Sequence, residues 1–294
     1  MTMSSFNDAA RFEEGQKALR RMLADWPVIP LIGIDQPRLF EPLVRACLAV
    51  APMGKKPAIE ILLRSEEAMP DGLKNIHDVK EKYGNQIHIL IGSVIKPEDV
   101  EAATHVKADG VISGGYSKRV ADAARQKGLP YLPGCMTLAE VQAASDSGYT
   151  TIKLFPARNP GAKAMMAPLA RTGVNTYMCN DMQKPEGLPV CATPSEVLKA
   201  WENGQTHIIL DPARSDGQWQ AIMDHLQQEQ MTVCCTGGVN VDNLHSFARQ
   251  QPVLAVGASY IVEHARCSEQ DFEQAVSQIQ LSALESWKSE KSEC

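Results

Sequence analysis

The sequence predicts an α/β protein, a (β/α)8 TIM-type barrel with extra βα units inserted late in the chain. Three observations carry this. Short apolar runs alternate with helix-like segments, about eight such runs are present, and one stretch of the chain matches another at an offset of 56 residues. Strand–helix alternation at this spacing means a parallel sheet. An open doubly wound sheet fits the alternation as well as a closed barrel does. The number of runs, and the lack of a strand-linked G-x-G-x-x-G, favour the barrel.

The apolar runs begin with Val28–Ile34, Ala58–Leu63, Ile87–Ile91, Gly110–Ser113, Pro130–Leu132 and Thr151–Phe155. Between them, Pro97–Lys107 and Ser117–Lys127 read as helices, the second stopped by Gly128. Thr137-Leu-Ala-Glu140 and Thr193-Pro-Ser-Glu196 have the capping-box form, in which hydroxyl and carboxylate each satisfy a backbone N–H at a helix start.

The chain has 294 residues, 44% hydrophobic and 22% charged, the balance of an ordinary globular protein able to bury a sizeable core. A net charge of −6 argues against nucleic acid as a partner, without excluding a local pocket for a small anion. No run of eighteen apolar residues exists, so no membrane span is expected. The N-terminal MTMSSFNDAARFEEGQKALRRM lacks the apolar stretch of a secretory signal. Eight cysteines without a C-x-x-C pair or zinc-type histidine spacing fit free thiols in a reduced, cytoplasmic setting.

The internal match is gap-free. Leu132–Arg158 and Leu188–Arg214 share 14 of 27 positions, including Cys135/Cys191, Thr137/Thr193, Glu140/Glu196, Gly148/Gly204 and the ending Pro-Ala-Arg. The register persists to Thr176/Thr232 and Cys179/Cys235. Tandem copies over 132–181 and 188–237, within one barrel domain spanning 1–294, account for this. Without 56 residues the chain would have 238, close to the roughly 250 of a typical barrel. The copies differ where chemistry would sit. The first has Lys153 but ends its later strand in Cys179-Asn-Asp-Met182. The second has Ile209 but ends in Cys235-Thr-Gly-Gly-Val239. Each reads as keeping half of one site. Extrusion of a lobe from an eight-stranded barrel is expected, rather than a wall of about ten strands, because closure ties strand number to tilt and shear.

Lys153 is flanked by Ile152 and Leu154. A lysine in a buried parallel strand is costly while charged, and a neutral amine there can attack a ketone to form a Schiff base. The alternative is a side chain that snorkels out of the wall. Glu60, in Ile59-Glu-Ile-Leu-Leu-Arg64, needs a partner or a task. Arg64 either pairs with it or binds a substrate carboxylate. Thr236-Gly237-Gly238 and Gly257-Ala258-Ser259 each follow a late strand, where glycine-rich turns and helix N-termini hold phosphate; two ordinary tight turns are the alternative. Ser93 and Ser113 stand at strand ends as hydroxyl donors or caps. His225 and His245 read as surface helix residues.

Gly148-x-x-x-Ile152-Lys153-Leu154-Phe155-Pro156-Ala157-x-x-x-Gly161 resembles the Schiff-base lysine signature of the bacterial KDPG/KHG aldolases. These act on 2-keto-3-deoxy-6-phosphogluconate and 4-hydroxy-2-oxoglutarate. Pro27-Val-Ile-Pro30, Glu60 to Arg64, Ser93, Pro133-Gly134, Cys235-Thr-Gly-Gly-Val239 and Gly257-Ala-Ser259 match in order, over nearly the whole chain except the repeated residues. The resemblance implies a barrel lyase, usually a homotrimer, with no metal and no organic cofactor, acting on a small 2-keto acid. It implies Lys153 as the Schiff-base former and Glu60 as the general acid/base. Arg64, Ser93 and Phe155 would lie at the pyruvoyl end; Thr236, Gly237, Gly238, Ala258 and Ser259 would hold a phosphate. Leu62 and Ser93 stand where threonine is usual, Lys56 where glycine is, and Ile112-Ser-Gly-Gly115 lacks a proline. Two other readings are a catalytically impaired aldolase-like binding or assembly protein, and a phosphosugar isomerase or epimerase with Glu60 as base.

Overall fold

A computed structural model describes residues 3–157, 166–178, 187–211, 218–268 and 270–292. Its strands are β1 (Val28–Gly33), β2 (Ala58–Leu62), β3 (His88–Gly92), β4 (Gly110–Ile112), β5 (Tyr131–Leu132), β6 (Gly134–Cys135), β7 (Thr151–Leu154), β8 (Asn175–Met178), β9 (Val190–Cys191), β10 (His207–Leu210), β11 (Thr232–Thr236) and β12 (Val253–Ala258). They form two sheets. One runs β5-β4-β3-β2-β1-β12-β11-β7-β6, all neighbours parallel; the other runs β8-β10-β9.

The ends of the large sheet, β5 and β6, are separated in sequence by Pro133 alone. They are two halves of one strand: β5 pairs with β4 and β6 with β7. Proline offers no N–H to a ladder, so the strand breaks there, and the chain passing through Pro133 joins the sheet's ends into a ring. The barrel therefore has eight strands, as expected, and not ten.

Strands of such a ring are buried on both faces and read as continuous apolar runs. Ile29, Ile59, Ile61, Ile89, Ile91 and Val233 are all essentially inaccessible. Helix Phe272–Ser292 covers β1 from outside and packs in turn against helix Phe40–Val50; its Gln280 donates to the Val28 carbonyl at 2.6 Å. The first helix, Met3–Asp25, closes the end where the strands begin. It buries Leu19 and Leu23, and Gln16 donates to the carbonyl of Tyr131 at the start of β5. The opposite end, where strands finish, is left for loops.

Helix signals formed as read, with one exception. Ser117 caps Lys118–Lys127, and Gly128 ends that helix in the left-handed region. Thr137 and Glu140 form the full capping box. In the second copy Thr193 accepts from Glu196 N–H, but the Glu196 carboxylate bonds Ala192 N–H, one residue earlier. The first glutamate is shared: Glu140 Oε2 accepts from both Met136 and Thr137, while Oε1 accepts from the Thr193 hydroxyl at 2.6 Å.

The small sheet lies between β7 and β11 in sequence and forms a lobe beside the barrel. The 56-residue offset that aligns the sequence also aligns geometry. β6 and β7 pair as Gly134↔Lys153 and Cys135↔Leu154; β9 and β10 pair as Val190↔Ile209 and Cys191↔Leu210. Lys153 N–H bonds Pro133 O, and Ile209 N–H bonds Pro189 O. The third pair slips by one: β11 sets Thr232 against Thr151, whereas β8 sets Thr176 against Ile208 rather than His207. The lobe thus repeats the β6-β7-β11 sector of the ring as β9-β10-β8. Its core of Leu169, Val197, Leu198, Ile208 and Leu210 is completed by Ile95 from a barrel loop. Ser195 Oγ accepts from Tyr116 N–H, and Ser117 Oγ donates to Glu202.

Candidate active site

Side chains on a strand alternate sides, so a lysine between two outward apolar residues points into the ring. Ile152 and Leu154 pack in the main core, and Lys153 reaches across the interior to Glu60 on β2. Nζ lies 3.0 Å from Oε1, with the two residues 4% and 2% exposed. The snorkelling alternative is thereby excluded. Of the two alternatives left open for Arg64, the pair with Glu60 is not the one formed: the carboxylate meets Lys153, because Glu60 faces inward while Arg64 stands just past the strand end. Phe155 is buried above Lys153, its ring centre 5.7 Å from Nζ. Cys234 pairs in register with Lys153, and burial pushes its thiol up to about 12 against the opposing pull of the lysine.

Two long polar side chains packed into so tight an interior need close neighbours that do not compete for space. Gly92, at the end of β3, supplies this. A Cβ there would lie 2.2 Å from Glu60 Oε1. Ser93 follows, buried and in the left-handed region at φ 59°, sparsely populated by residues other than glycine and typical of constrained sites. Arg64 is largely buried, and its Nε has no hydrogen-bond partner among the described residues. Burial draws its pKa below the ordinary value, while Glu60, Glu263 and Asp35 pull the other way. A guanidinium held in this way is a ready donor for a planar carboxylate.

On the far side, β11 and β12 pair Thr236 with Gly257, so the two glycine-containing loops lie side by side. Thr236 Oγ1 is buried without a hydrogen-bond partner among the described residues. Gly237 and Gly238 have φ of 85° and 75°, and a Cβ on Gly237 would meet the Phe155 ring at 2.9 Å. Ala258 caps the helix Ser259–Cys267, whose free N–H groups open at this loop. Every expected site residue therefore stands at or near the end of the barrel where strands finish. Arg158, Gly161 and residues 179–182 and 212–214, parts of the quoted motifs, lie outside the described residues.

Ser113 is a structural hydroxyl: it bonds Tyr131 at 2.6 Å and accepts from Gly134 N–H. His245 is exposed on its helix; His225 is half-buried on another. Arg171 carries no signature in the sequence. It sits on the 3-10 turn Ala167–Thr172 and is almost wholly buried against Asp99, at 2.6 Å. No local pattern marks it, since its partners lie 72 to 108 residues away.

A family model described as KDPG and KHG aldolase matches residues 19–179 and 176–279, the break falling in the lobe. The chain is 29% identical over 147 residues to the KHG/KDPG aldolase of Escherichia coli K12, which covers 50% of this chain and 65% of that protein. It is 29% identical over 148 residues to the 2-dehydro-3-deoxy-phosphogluconate aldolase of Dickeya dadantii, with the same coverages. These matches thus span a little under two thirds of the relatives' length. Among solved structures, the KDPG aldolase from Legionella pneumophila, with pyruvate captured as a covalent carbinolamine intermediate, superimposes with a TM-score of 0.61 at 19% identity, covering 90% of this chain and 97% of that one. The Zymomonas mobilis ZM4 enzyme with 3-phosphoglycerate gives 0.60 at 18%, covering 90% and 93%. The solved structures share the barrel, and the family model matches well over half the sequence: the chain belongs to the KDPG and KHG aldolase family.

Proposed function

We propose that the chain is a class I aldolase, a lyase cleaving a 2-keto-4-hydroxy acid to pyruvate and an aldehyde. The observation that carries this is the 3.0 Å contact between Lys153 and Glu60 inside the ring. It puts an amine and a proton carrier within direct transfer reach. Lys153 passes a proton to Glu60, and its amine adds to the C2 ketone. After an N-to-O proton shift, Glu60 protonates the C2 hydroxyl, water leaves, and an iminium remains. Glu60 then takes the C4 hydroxyl proton. The C3–C4 bond breaks, its electron pair moves into the iminium, and the aldehyde departs. Protonation of the enamine at C3, followed by hydrolysis, releases pyruvate and restores Lys153.

Arg64 and Ser93 receive the carboxylate end, with Phe155 closing over the keto group. Thr236, Gly237, Gly238, Ala258 and Ser259 hold the distal end, which carries a phosphate if the substrate is KDPG-like and a carboxylate if it is 4-hydroxy-2-oxoglutarate. Support for the chemistry comes from the pyruvate carbinolamine of the Legionella enzyme, and support for a distal anion from the 3-phosphoglycerate of the Zymomonas enzyme. The same reading includes a homotrimer in the cytoplasm and tandem copies at 132–181 and 188–237 within a single domain.

The test is borohydride reduction in the presence of pyruvate, followed by mass spectrometry of the peptide carrying residue 153. A reduced pyruvyl adduct on Lys153, absent from Lys153→Ala, is expected. A folded protein that yields no adduct, under conditions that trap a known class I aldolase, sinks the reading in favour of an impaired aldolase-like protein.

A further inference from the structure

We propose that Arg171, carried by the inserted segment, is a positioning residue for the barrel's own site. This rests on the roles given above to Lys153, Arg64 and Ser93. The guanidinium binds two loops at once. Nε donates to Leu63 O at 2.5 Å and Nη2 to Ser93 O at 3.3 Å. Nη1 and Nη2 grip Asp99 at 2.9 and 2.6 Å, and Nη1 also meets the exposed Glu66 at 3.0 Å.

The two carbonyls are the informative partners. Leu63 O belongs to the peptide unit that leads into Arg64, and Ser93 O to the unit that leaves Ser93. Fixing these planes fixes the backbone angles from which both side chains are aimed. Ser93 is also left-handed, a conformation that a serine keeps only where its surroundings hold it. Asp99 secures the same loop from the other side, accepting from Ile95 N–H at 2.8 Å and Lys96 N–H at 3.3 Å. The segment carrying Arg171 is itself seated: Leu169 shares a core with Ile95, and Pro168 packs against Gly114 so closely that a Cβ there would come within 2.6 Å. The insert is thus a strut of the pocket wall that receives the carboxylate of the 2-keto acid.

The test uses the full chain and pyruvate as the probe. In Arg171→Lys the charge opposite Asp99 survives, but a lysine has no planar fork with which to hold both carbonyls. The pyruvate concentration for half-maximal borohydride trapping should rise about tenfold or more, a typical scale for losing a charge-assisted, multidentate contact. The maximal trapped fraction on Lys153 should stay close to that of the unaltered protein. Amide exchange should quicken in peptides spanning 61–66 and 91–96, with the other barrel strands unchanged. Glu66→Gln weakens only exposed ion pairs, to Arg171 and to Lys96, and should leave the half-saturating pyruvate concentration alone. Unchanged half-saturation and unchanged exchange in Arg171→Lys would overturn the proposal, as would a uniform loss of protection across the barrel. If Arg171→Met fails to fold, Arg171→Lys and Asp99→Asn decide by the same two readouts. If the unaltered protein is not trapped at all, the aldolase reading fails, and the exchange comparison alone decides on Arg171.

Discussion

Gly92→Ala isolates the placement of Glu60 from its chemistry. Gly92 is not in the left-handed region, so alanine adopts its backbone without strain. The cost is steric and local. The new Cβ would lie 2.2 Å from Glu60 Oε1 and 2.8 Å from Cδ and Cγ, against an ordinary contact of 3.4 Å or more. The carboxylate must therefore retreat by about 1.2 Å, or rotate to similar effect. Its present distance to Lys153 Nζ is 3.0 Å, so such a shift takes it out of hydrogen-bond range. Misplacement by about 1 Å costs roughly 100-fold in rate. The assay is pyruvate release from 4-hydroxy-2-oxoglutarate or KDPG, coupled to lactate dehydrogenase. A kcat about 100-fold lower is expected, with a stability loss of only about 1–3 kcal/mol from overpacking. A kcat within threefold of that of the unaltered protein would refute the argument that Glu60 must sit where Gly92 allows it.

Ile209→Lys places a lysine at the position in β10 that matches Lys153, yet Glu60, Arg64 and Ser93 stand on or beside barrel strands rather than in the lobe. Pyruvate and borohydride should label Lys153 only, and the melting temperature should fall because residue 209 is buried; an adduct at 209 would contradict this. Asp109 is held below its ordinary 3.8: burial pushes it up, but nearby His88, with the hydrogen bonds from Lys80 and Ile89 N–H, outweighs burial. Its contribution is therefore full above about pH 4 and fades as pH falls through the lowered folded value. Asp109→Asn should lose about 2 kcal/mol at pH 7, by denaturant titration, and the gap to the unaltered protein should close below pH 4.

Much of this was legible in the sequence because it depends on local pattern. Lys153 between Ile152 and Leu154 stands out unaided, since a charge set in an apolar run must find a partner or react. Glycines after β11 and β12 stand out through backbone freedom. The eight-membered ring followed from counting runs, together with the physical coupling of strand number to shear. What stayed hidden depends on side chains brought together across long sequence separations. Glu60 is 93 residues from its lysine, and nothing near it chooses between Lys153 and Arg64 as partner. Gly92 looks like an ordinary strand end until the carboxylate beside it is located. Arg171 is one cation among many surface charges until the turn carrying it is seen to enter a gap between two barrel loops. The split of one strand at Pro133 was equally invisible, because its halves serve opposite ends of the sheet.

The repeated sector has a consequence for how the ring is completed. β7 closes against β11, whose Thr232 is 81 positions from Thr151, with their hydroxyls 2.9 Å apart. The strand equivalent to β11, at Thr176, is only 25 positions from Thr151 and emerges first during synthesis. Closing the shorter loop would cost about 1 kcal/mol less in chain entropy. The native ring thus passes over a nearer, earlier candidate. Its partner choice is enforced by contacts rather than by chain proximity, and those contacts must outcompete a rival encoded in the same polypeptide.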